Sequence, residues 1–182
     1  MSQNVPNLAV KDVKARADAQ VIGQVMQAFI ENIRSEDVKP VLEQHGLTEI
    51  KPDEWYPQSL FAEIYDELER DGQGQNIVAI GMKTLDTLEF PEGTNDIMGA
   101  LQVLPAMYQQ IHQGIGDNEG WRIEKVNDKH IRVTFNSPYS DYAAYGYLYS
   151  IARRFRPEGS RFTVKPQTFA TGEPAVFNIE WD

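Results

Sequence analysis

The stretch that decides the fold is Trp121–Phe155, WRIEKVNDKHIRVTFNSPYSDYAAYGYLYSIARRF. It opens with two runs in which apolar and polar residues alternate, joined by a short polar turn at 127–129. This pattern predicts an antiparallel hairpin with one face towards solvent. A helix is predicted directly after Pro138, from about Ser140 to Phe155. The segment follows a long stretch of mainly helical pattern, and that order is rare enough to indicate one fold.

The residues before the hairpin repeat apolar side chains at steps of three and four, which predicts helices. One of these predicted helices is short: Ser35 is expected to be its N-cap, and Gly46 is expected to end it. Thr94 is predicted to cap the longest helix, and Pro105 predicts a kink in it. The segment 53–57 is interpreted as a loop. The predicted helices cover residues 10–33, 35–46, 60–72, 75–88 and 95–116.

Two more strands are predicted after the last helix, one from Phe162 and one over 175–181, with a turn at Gly172 and Pro174. The whole order is therefore helices followed by β-β-α-β-β. It predicts an α+β fold, in which an antiparallel sheet of about four strands packs against helices.

Length and composition indicate one domain of ordinary size. The chain has 182 residues, of which 41% are hydrophobic, so residues 10–182 can form a single domain behind a flexible N-terminus at 1–9. It contains no cysteine, which excludes disulfides and thiolate chemistry. The formal net charge of −10 disfavours nucleic acid as a partner. Because the sequence has neither an apolar run long enough for a membrane span nor a secretory signal pattern, a cytoplasmic protein is expected.

The three histidines do not have the spacing of a metal site. His45 is predicted at a helix C-terminus, where an imidazolium suits the dipole, and His130 on the polar side of a strand. His112 falls about 100° from the centre of the apolar stripe of the longest helix. A place at the core edge or in solvent is therefore favoured over metal ligation, for which His112 is the remaining candidate. No serine-hydrolase, phosphate-loop or HExxH pattern occurs, so no residue set supports an enzyme.

Five tyrosines lie in or beside the helix after the hairpin, and they have two interpretations. In the first, which is favoured, they pack on the sheet with their hydroxyl groups at the surface. In the second, they form the wall of a cavity for a flat, apolar ligand, between this helix, the sheet and the helix that carries Tyr108. These five are Tyr139, Tyr142, Tyr145, Tyr147 and Tyr149.

In the order of its elements, the chain resembles the superfamily that joins heme–nitric oxide/oxygen-binding (H-NOX) domains, bacterial 4-vinyl reductase-type small-molecule-binding domains and TRAPP transport subunits. The resemblance covers about Val38 to Asp182. LEQHGLTEIKPDEWYP and the helices after it resemble the helical half of H-NOX. The hairpin, DYAAYGYLYSIARRF and FTVKPQTFATGEPAVFNIEW resemble the second half of H-NOX and of the vinyl reductase-type domains. Gly172 matches the glycine-centred turn that these domains have between their last two strands.

The resemblance implies where a heme would be held, and the residues there depart from the family pattern. H-NOX domains bind heme through a histidine on the long helix and hold its propionates with a Tyr-x-Ser-x-Arg motif. The ligand position falls near Met107 or Tyr108, and His112 lies about one turn further on. The propionate motif falls on FNSPY at 135–139, where only Ser137 matches. Without the arginine, the propionates lack their bidentate partner, so H-NOX-type heme binding is disfavoured.

The predicted function is that of a small-molecule-binding or sensory, signalling domain with an H-NOX-like fold and without the usual heme site. Its ligand, a small apolar or tetrapyrrole-like molecule, is expected in a pocket between the long helix and the hairpin–helix unit. One alternative is a heme or tetrapyrrole-binding protein in which His112, Met107 or Tyr108 is the axial ligand. Another is a protein–protein adaptor or dimerisation module, with a second copy or a signalling protein as partner. The predicted ligand-binding residues are Met107, Tyr108, Ile111, Phe135, Ser137, Tyr139, Tyr142 and Tyr145.

Overall fold

The structure is a computed structural model, which describes residues 8, 13–33, 35–70, 72–86, 88–167 and 173–182. Short strands are interspersed among helices in the first part of the chain, and longer strands dominate the last part. The elements in chain order are β1 (Gln20–Ile22), α1 (Gly23–Ile30), α2 (Ser35–Gln44), β2 (Trp55–Pro57), α3 (Gln58–Arg70), α4 (Gly74–Asp86), α5 (Ile97–Gln110), β3 (His112–Gln113), β4 (Gly120–Asn127), β5 (His130–Asn136), α6 (Asp141–Phe155), β6 (Phe162–Gln167) and β7 (Ala175–Trp181).

The larger sheet has four antiparallel strands in the order β4-β5-β7-β6, which confirms the predicted α+β order. Alternate residues of its strands form an apolar face, on which Val133, Phe177 and Ile179 are fully buried. This face packs against α6. The other face carries charged side chains, among them the ion pair of Arg132 with Glu124. The hairpin of β4 and β5 therefore has one face towards solvent, as the sequence predicts.

Helices α4 and α6 pack with their backbones close together. A Cβ atom at Gly146 would lie 2.4 Å from the carbonyl oxygen of Val78, and one at Gly81 would lie 2.7 Å from that of Ala143. Side chains do not come this close to a backbone oxygen, so glycine is the residue that fits at both positions. This contact joins the helical half of the chain to the hairpin–helix half.

A second sheet, which the sequence analysis did not predict, has three short antiparallel strands in the order β2-β1-β3. Val21 at its centre lies between Tyr56 on one side and His112 on the other. The predicted helix over 10–33 is therefore wrong over residues 13–22, and the segment 53–57, interpreted as a loop, contains a strand. Strands of two or three residues are too short to establish an alternating pattern in the sequence.

Helix α5 differs from its prediction at both ends. Its N-cap is Asp96, whose carboxylate accepts a backbone hydrogen bond at 2.7 Å, and not Thr94. It ends at Gln110 rather than at 116. The residues from His112 onward leave the helix because their backbone pairs with β1.

Some predictions fall on residues outside the described ranges. They are the flexible N-terminus at 1–9, apart from Leu8, the start of the first helix at Val10, the side chain of the Ser35 cap and the turn at Gly172. Within the described ranges, no helix combines the length and the apolar composition that a membrane span requires.

Candidate functional site

Aromatic side chains fill the interior between α1, α3 and the C-terminal half of the chain. The ring of Phe61 is central, with centroids 5.4 Å from Phe29, 4.9 Å from Tyr65 and 5.0 Å from Tyr139. All four side chains are buried. These four residues, which we call the aromatic cluster, occupy the space between the two halves of the fold.

His112 lies beside the aromatic cluster and is held in one tautomer. Its Nδ1 lies 2.7 Å from the carbonyl oxygen of Tyr108, which can only accept, so Nδ1 carries the hydrogen. Nε2 is then the acceptor of the neutral ring, and the hydroxyl of Tyr139 donates to it at 2.7 Å. The imidazole also stacks on the Tyr108 ring, with centroids 4.0 Å apart.

The expectation that His112 lies at the core edge or in solvent is wrong, because its side chain is only 5% exposed. The expectation assumed that the helix continues through His112. The helix in fact ends at Gln110, and the pairing of β3 with β1 turns the imidazole into the interior.

A second set of hydrogen bonds begins at the hydroxyl of Tyr108. This hydroxyl donates to Oε1 of Glu119 at 2.8 Å and lies 2.8 Å from Oγ of Ser137, which therefore donates to it. Nε2 of Gln58 donates to the same Oε1 at 2.5 Å and to the Tyr108 hydroxyl at 3.2 Å. Gln58 and Ser137 are fully buried. The buried polar network, as we call it, comprises Gln58, Tyr108, His112, Glu119, Ser137 and Tyr139.

Two local features position the network. Gln58 begins α3 directly after β2, and it shares the buried face of that helix with Phe61 and Tyr65, three and seven residues further on. Gly120 has a φ of +104°, and a Cβ there would lie 2.8 Å from the ring of Tyr108. Glycine satisfies both the backbone angle and the space, so β4 can begin directly against this ring.

Burial determines the protonation of the network. It lowers the pKa of His112, although the hydrogen bond to the Tyr108 carbonyl and the charge of Glu119 oppose that change. It also raises the pKa of Tyr108 and of Tyr139 well above the ordinary tyrosine value. At neutral pH the imidazole and both phenols are therefore uncharged.

The lowered pKa of His112 predicts a loss of stability in mild acid. The unfolded chain binds a proton at this residue near the ordinary histidine pKa, about 6.5, whereas the folded chain binds it only at lower pH. The contribution of His112 to the free energy of unfolding is therefore complete above pH ~6.5, and it is lost as the pH falls towards the pKa of His112 in the folded chain. Urea unfolding at several pH values between about 7.5 and 5 is expected to show this decline. His112→Gln should give a shallower slope, and equal slopes would contradict the assignment.

Two surface cavities border the network. The first, which we call the α3–α6 cleft, has a volume of about 360 Å³, and Tyr139 and Tyr142 are part of its wall. The second, the α5–hairpin groove, has a volume of about 500 Å³ between α5 and the β4–β5 hairpin, and Glu119 is part of its lining. The network therefore extends from one cavity to the other. Among the described residues, the charged ones that line the cleft are Lys14, Glu63, Asp66, Glu69 and Asp141.

The structure brings together three of the eight predicted ligand-binding residues. Tyr108, Ser137 and Tyr139 all belong to the buried polar network. Phe135 and Tyr145 are buried too, but Phe135 lies on the apolar face of the large sheet, and Tyr145 on α6 packs against that face at Phe177.

The remaining three predicted residues lie apart from the network. Tyr142 lines the α3–α6 cleft, and its ring lies 2.9 Å from where a Cβ of Gly74 would be. Met107 and Ile111 are half-buried at the C-terminal end of α5. The residues that the sequence predicts to form one cavity wall are thus divided among the network, the large sheet with α6, the cleft and the C-terminal end of α5.

Sequence reasoning did not identify Gln58 and Glu119. A signal for Gln58 was present, because a polar residue that continues the apolar stripe of Phe61 and Tyr65 must be buried and needs hydrogen-bond partners. Glu119 lies in a loop before β4, where no periodicity distinguishes it from its neighbours.

Comparisons with known proteins relate the chain to one fold. No protein-family model matches it, and no curated protein does. Solved structures of H-NOX domains do match: a Cs H-NOX mutant with 4-cyano-L-phenylalanine, at 14% identity and a TM-score of 0.65, and an Fe(II) unliganded H-NOX mutant from K. algicida, at 11% identity and the same TM-score. Each match covers 88% of this chain and 96% of the other.

An oxygen-binding H-NOX domain related to soluble guanylate cyclases also matches, at 15% identity and a TM-score of 0.59, over 88% of this chain and 94% of that one. The chain therefore has an H-NOX-like fold. The resemblance inferred from the sequence is confirmed at the level of the fold, and at these identities the comparison defines the fold alone.

Proposed function

We propose that this chain is a small-molecule-binding, sensory domain that uses the H-NOX-like fold without the heme site of H-NOX. The observation that carries the proposal is the packing of the aromatic cluster, and of its member Tyr139 in particular, in the interior. Tyr139 stands at the position that the family resemblance gives to the propionate-binding arginine. Its ring packs on Phe61, and its hydroxyl is bound to His112. A porphyrin at this place would have to displace these side chains.

The residues near the family's ligand position also fit heme iron poorly. A tyrosine binds a metal as the phenolate, and burial raises the pKa of Tyr108, which opposes that form. Its hydroxyl is already held by Glu119 and Ser137. Nε2 of His112, the nitrogen that could bind iron, accepts a hydrogen bond from Tyr139 instead.

The charges beside Tyr139 oppose two propionates. Propionates are anionic, and the α3–α6 cleft next to Tyr139 contains four carboxylates and the single basic residue Lys14 among its described lining. Like charges at short range disfavour binding. Glu63 lies 2.7 Å from the imidazole of His45, and the three other carboxylates still outnumber Lys14. The residues present therefore do not fit heme held in the H-NOX manner.

We assign the ligand of this domain to the α3–α6 cleft. Its volume of about 360 Å³ lies within the range of small-molecule sites. Tyr142 offers an aromatic surface there, and Tyr139 connects the cleft to His112. A ligand that moves the Tyr139 hydroxyl alters the hydrogen bond that this hydroxyl donates to the imidazole of His112. Through this step, ligand binding in the cleft affects the buried polar network.

Titration with hemin and with protoporphyrin IX tests the absence of an H-NOX-type site. The expected result is no saturable shift of the Soret band at one equivalent. A stoichiometric shift would contradict the proposal. Loss of that shift in His112→Gln would then favour the alternative in which His112 is the axial ligand.

Native mass spectrometry of protein from its natural source tests the cleft. We expect a non-covalent adduct that is absent from Ala62→Trp, since Ala62 lines the cleft and a larger side chain fills it. Ala106→Trp is the matched control, because Ala106 lines the other cavity, and it should retain the adduct. Protein without an adduct, or an adduct that survives in Ala62→Trp, would count against the cleft.

A further inference from the structure

We infer that the α5–hairpin groove is a second binding site, which takes an organic cation with hydrogen-bond donors, such as a primary ammonium or a guanidinium group. This site does not depend on the function proposed for the α3–α6 cleft. Its defining feature is a carboxylate that the fold holds in place and that has no cationic partner among the described residues.

The carboxylate is that of Glu119. Its Oε1 accepts hydrogen bonds from Gln58 and Tyr108, and both donors are neutral. Among the described residues, no lysine, arginine or histidine pairs with Glu119, and no donor reaches its Oε2. The negative charge of Glu119 and the lone pairs of Oε2 are therefore available to a ligand in the groove.

The fold also fixes this carboxylate before any ligand arrives. Gln58 is fully buried and Tyr108 is 4% exposed, so the two donors cannot move away without opening the core. A group that is held in its binding geometry loses little conformational entropy when the ligand binds. Because Glu119 is half-buried, a hydrogen bond to its charge is also stronger than in open solvent.

The remaining lining of the groove suits a cation with an apolar part. Trp121, Pro105 and Ala106 provide apolar surface, and the Trp121 ring is held against Phe135 with centroids 4.2 Å apart. An aromatic wall attracts a cation placed over its face. Arg122 also lines the groove, so the cation must bind at the Glu119 end.

Two further acceptors lie near Glu119. Asn136 donates through Nδ2 to the carbonyl oxygen of Asn118 at 2.9 Å, which leaves its Oδ1 as an acceptor. Asp117 adds a second carboxylate to the lining. A site rich in acceptors selects a ligand rich in donors, and an ammonium or guanidinium group has several donors and no acceptor.

Phenethylamine is a suitable probe, because 2-phenylethanol has nearly the same shape without the charge. In calorimetric titrations at low salt we expect saturable binding of the amine, about tenfold or more tighter than that of the alcohol. Glu119→Gln should weaken amine binding by about tenfold or more. Glu124→Gln is the matched control: Glu124 lies on β4, the strand that follows Glu119, but pairs with Arg132 on the exposed face of the sheet, and this variant should bind the amine as the wild type does.

A second variant keeps the test decisive if Glu119→Gln disturbs folding. Ala106 is an exposed residue on α5 that lines the groove, so Ala106→Trp should block amine binding with the buried polar network unchanged. Equal affinities for amine and alcohol, unchanged binding in Ala106→Trp, or no saturable amine binding would each overturn the inference. None of these results affects the cleft, whose test is the adduct in Ala62→Trp.

Discussion

Phe61→Ala is expected to lower the free energy of unfolding by about 3–5 kcal/mol, the usual cost of truncating a buried phenylalanine. Phe61 is 2% exposed and contacts Phe29, Tyr65 and Tyr139. Removing its ring leaves a cavity between rings that α1, α3 and the segment between β5 and α6 hold in place, so the surroundings can close only partly. Urea unfolding followed by circular dichroism measures the change.

Phe90→Ala is the matched control for this variant. Phe90 packs on Phe155 at 4.9 Å between centroids, but it is half-buried, and its loss should cost clearly less. The comparison also tests the proposal on heme. If the interior were an open pocket for a flat ligand, Phe61 would have few partners to lose and its truncation would cost about 1 kcal/mol or less.

Gly146→Ala is expected to cost about 1–3 kcal/mol, the usual range for overpacking a core. In an ordinary helix this change is favourable, since alanine has the higher helix propensity. Here the new Cβ would lie 2.4 Å from the carbonyl oxygen of Val78 and 3.1 Å from the amide nitrogen of Met82. Both are backbone atoms of a packed helix, so α4 and α6 must separate to admit the methyl group.

The control for this position is Gly116→Ala. Within the described part of the chain, no heavy atom lies within 4 Å of where a Cβ of Gly116 would be, and Gly116 has no positive φ. Its replacement should leave stability unchanged or raise it by about 0.4–1 kcal/mol. Thermal and urea unfolding of both variants distinguish the effects, and a Gly146→Ala protein as stable as the Gly116→Ala protein would show that the two helices are not in tight contact.

The large sheet and α6 could be predicted because each has a long periodic signal. Alternation over β4 and β5 and the continuous helix over Asp141–Phe155 are sufficient to define the order of elements. The small sheet could not be predicted, since its strands have two or three residues each and depend on pairing between distant segments. The same pairing ends α5 early, so the error at His112 follows from the error in the small sheet.

The site was predictable only in part. Tyr108, Ser137 and Tyr139 were identified because a family resemblance aligned them with a known motif. Their partners Gln58 and Glu119 come from other parts of the chain, and a tertiary hydrogen bond leaves no periodic mark in the sequence. Gln58 could have been found by asking which polar residue interrupts an apolar helix face, whereas Glu119 required the structure.

The three-stranded sheet also bears on the order in which the chain folds. Gln20 pairs with Gln113, a contact that spans about half of the chain, whereas the hairpin begins with the pair Asn127 and His130. Closing a long loop costs more entropy than closing a tight turn, so the hairpin is expected to form early and β3 to dock late. His112 lies on β3, so its hydrogen bond with Tyr139 is expected to form in one of the last steps. The imidazole then enters a scaffold that is already in place around it.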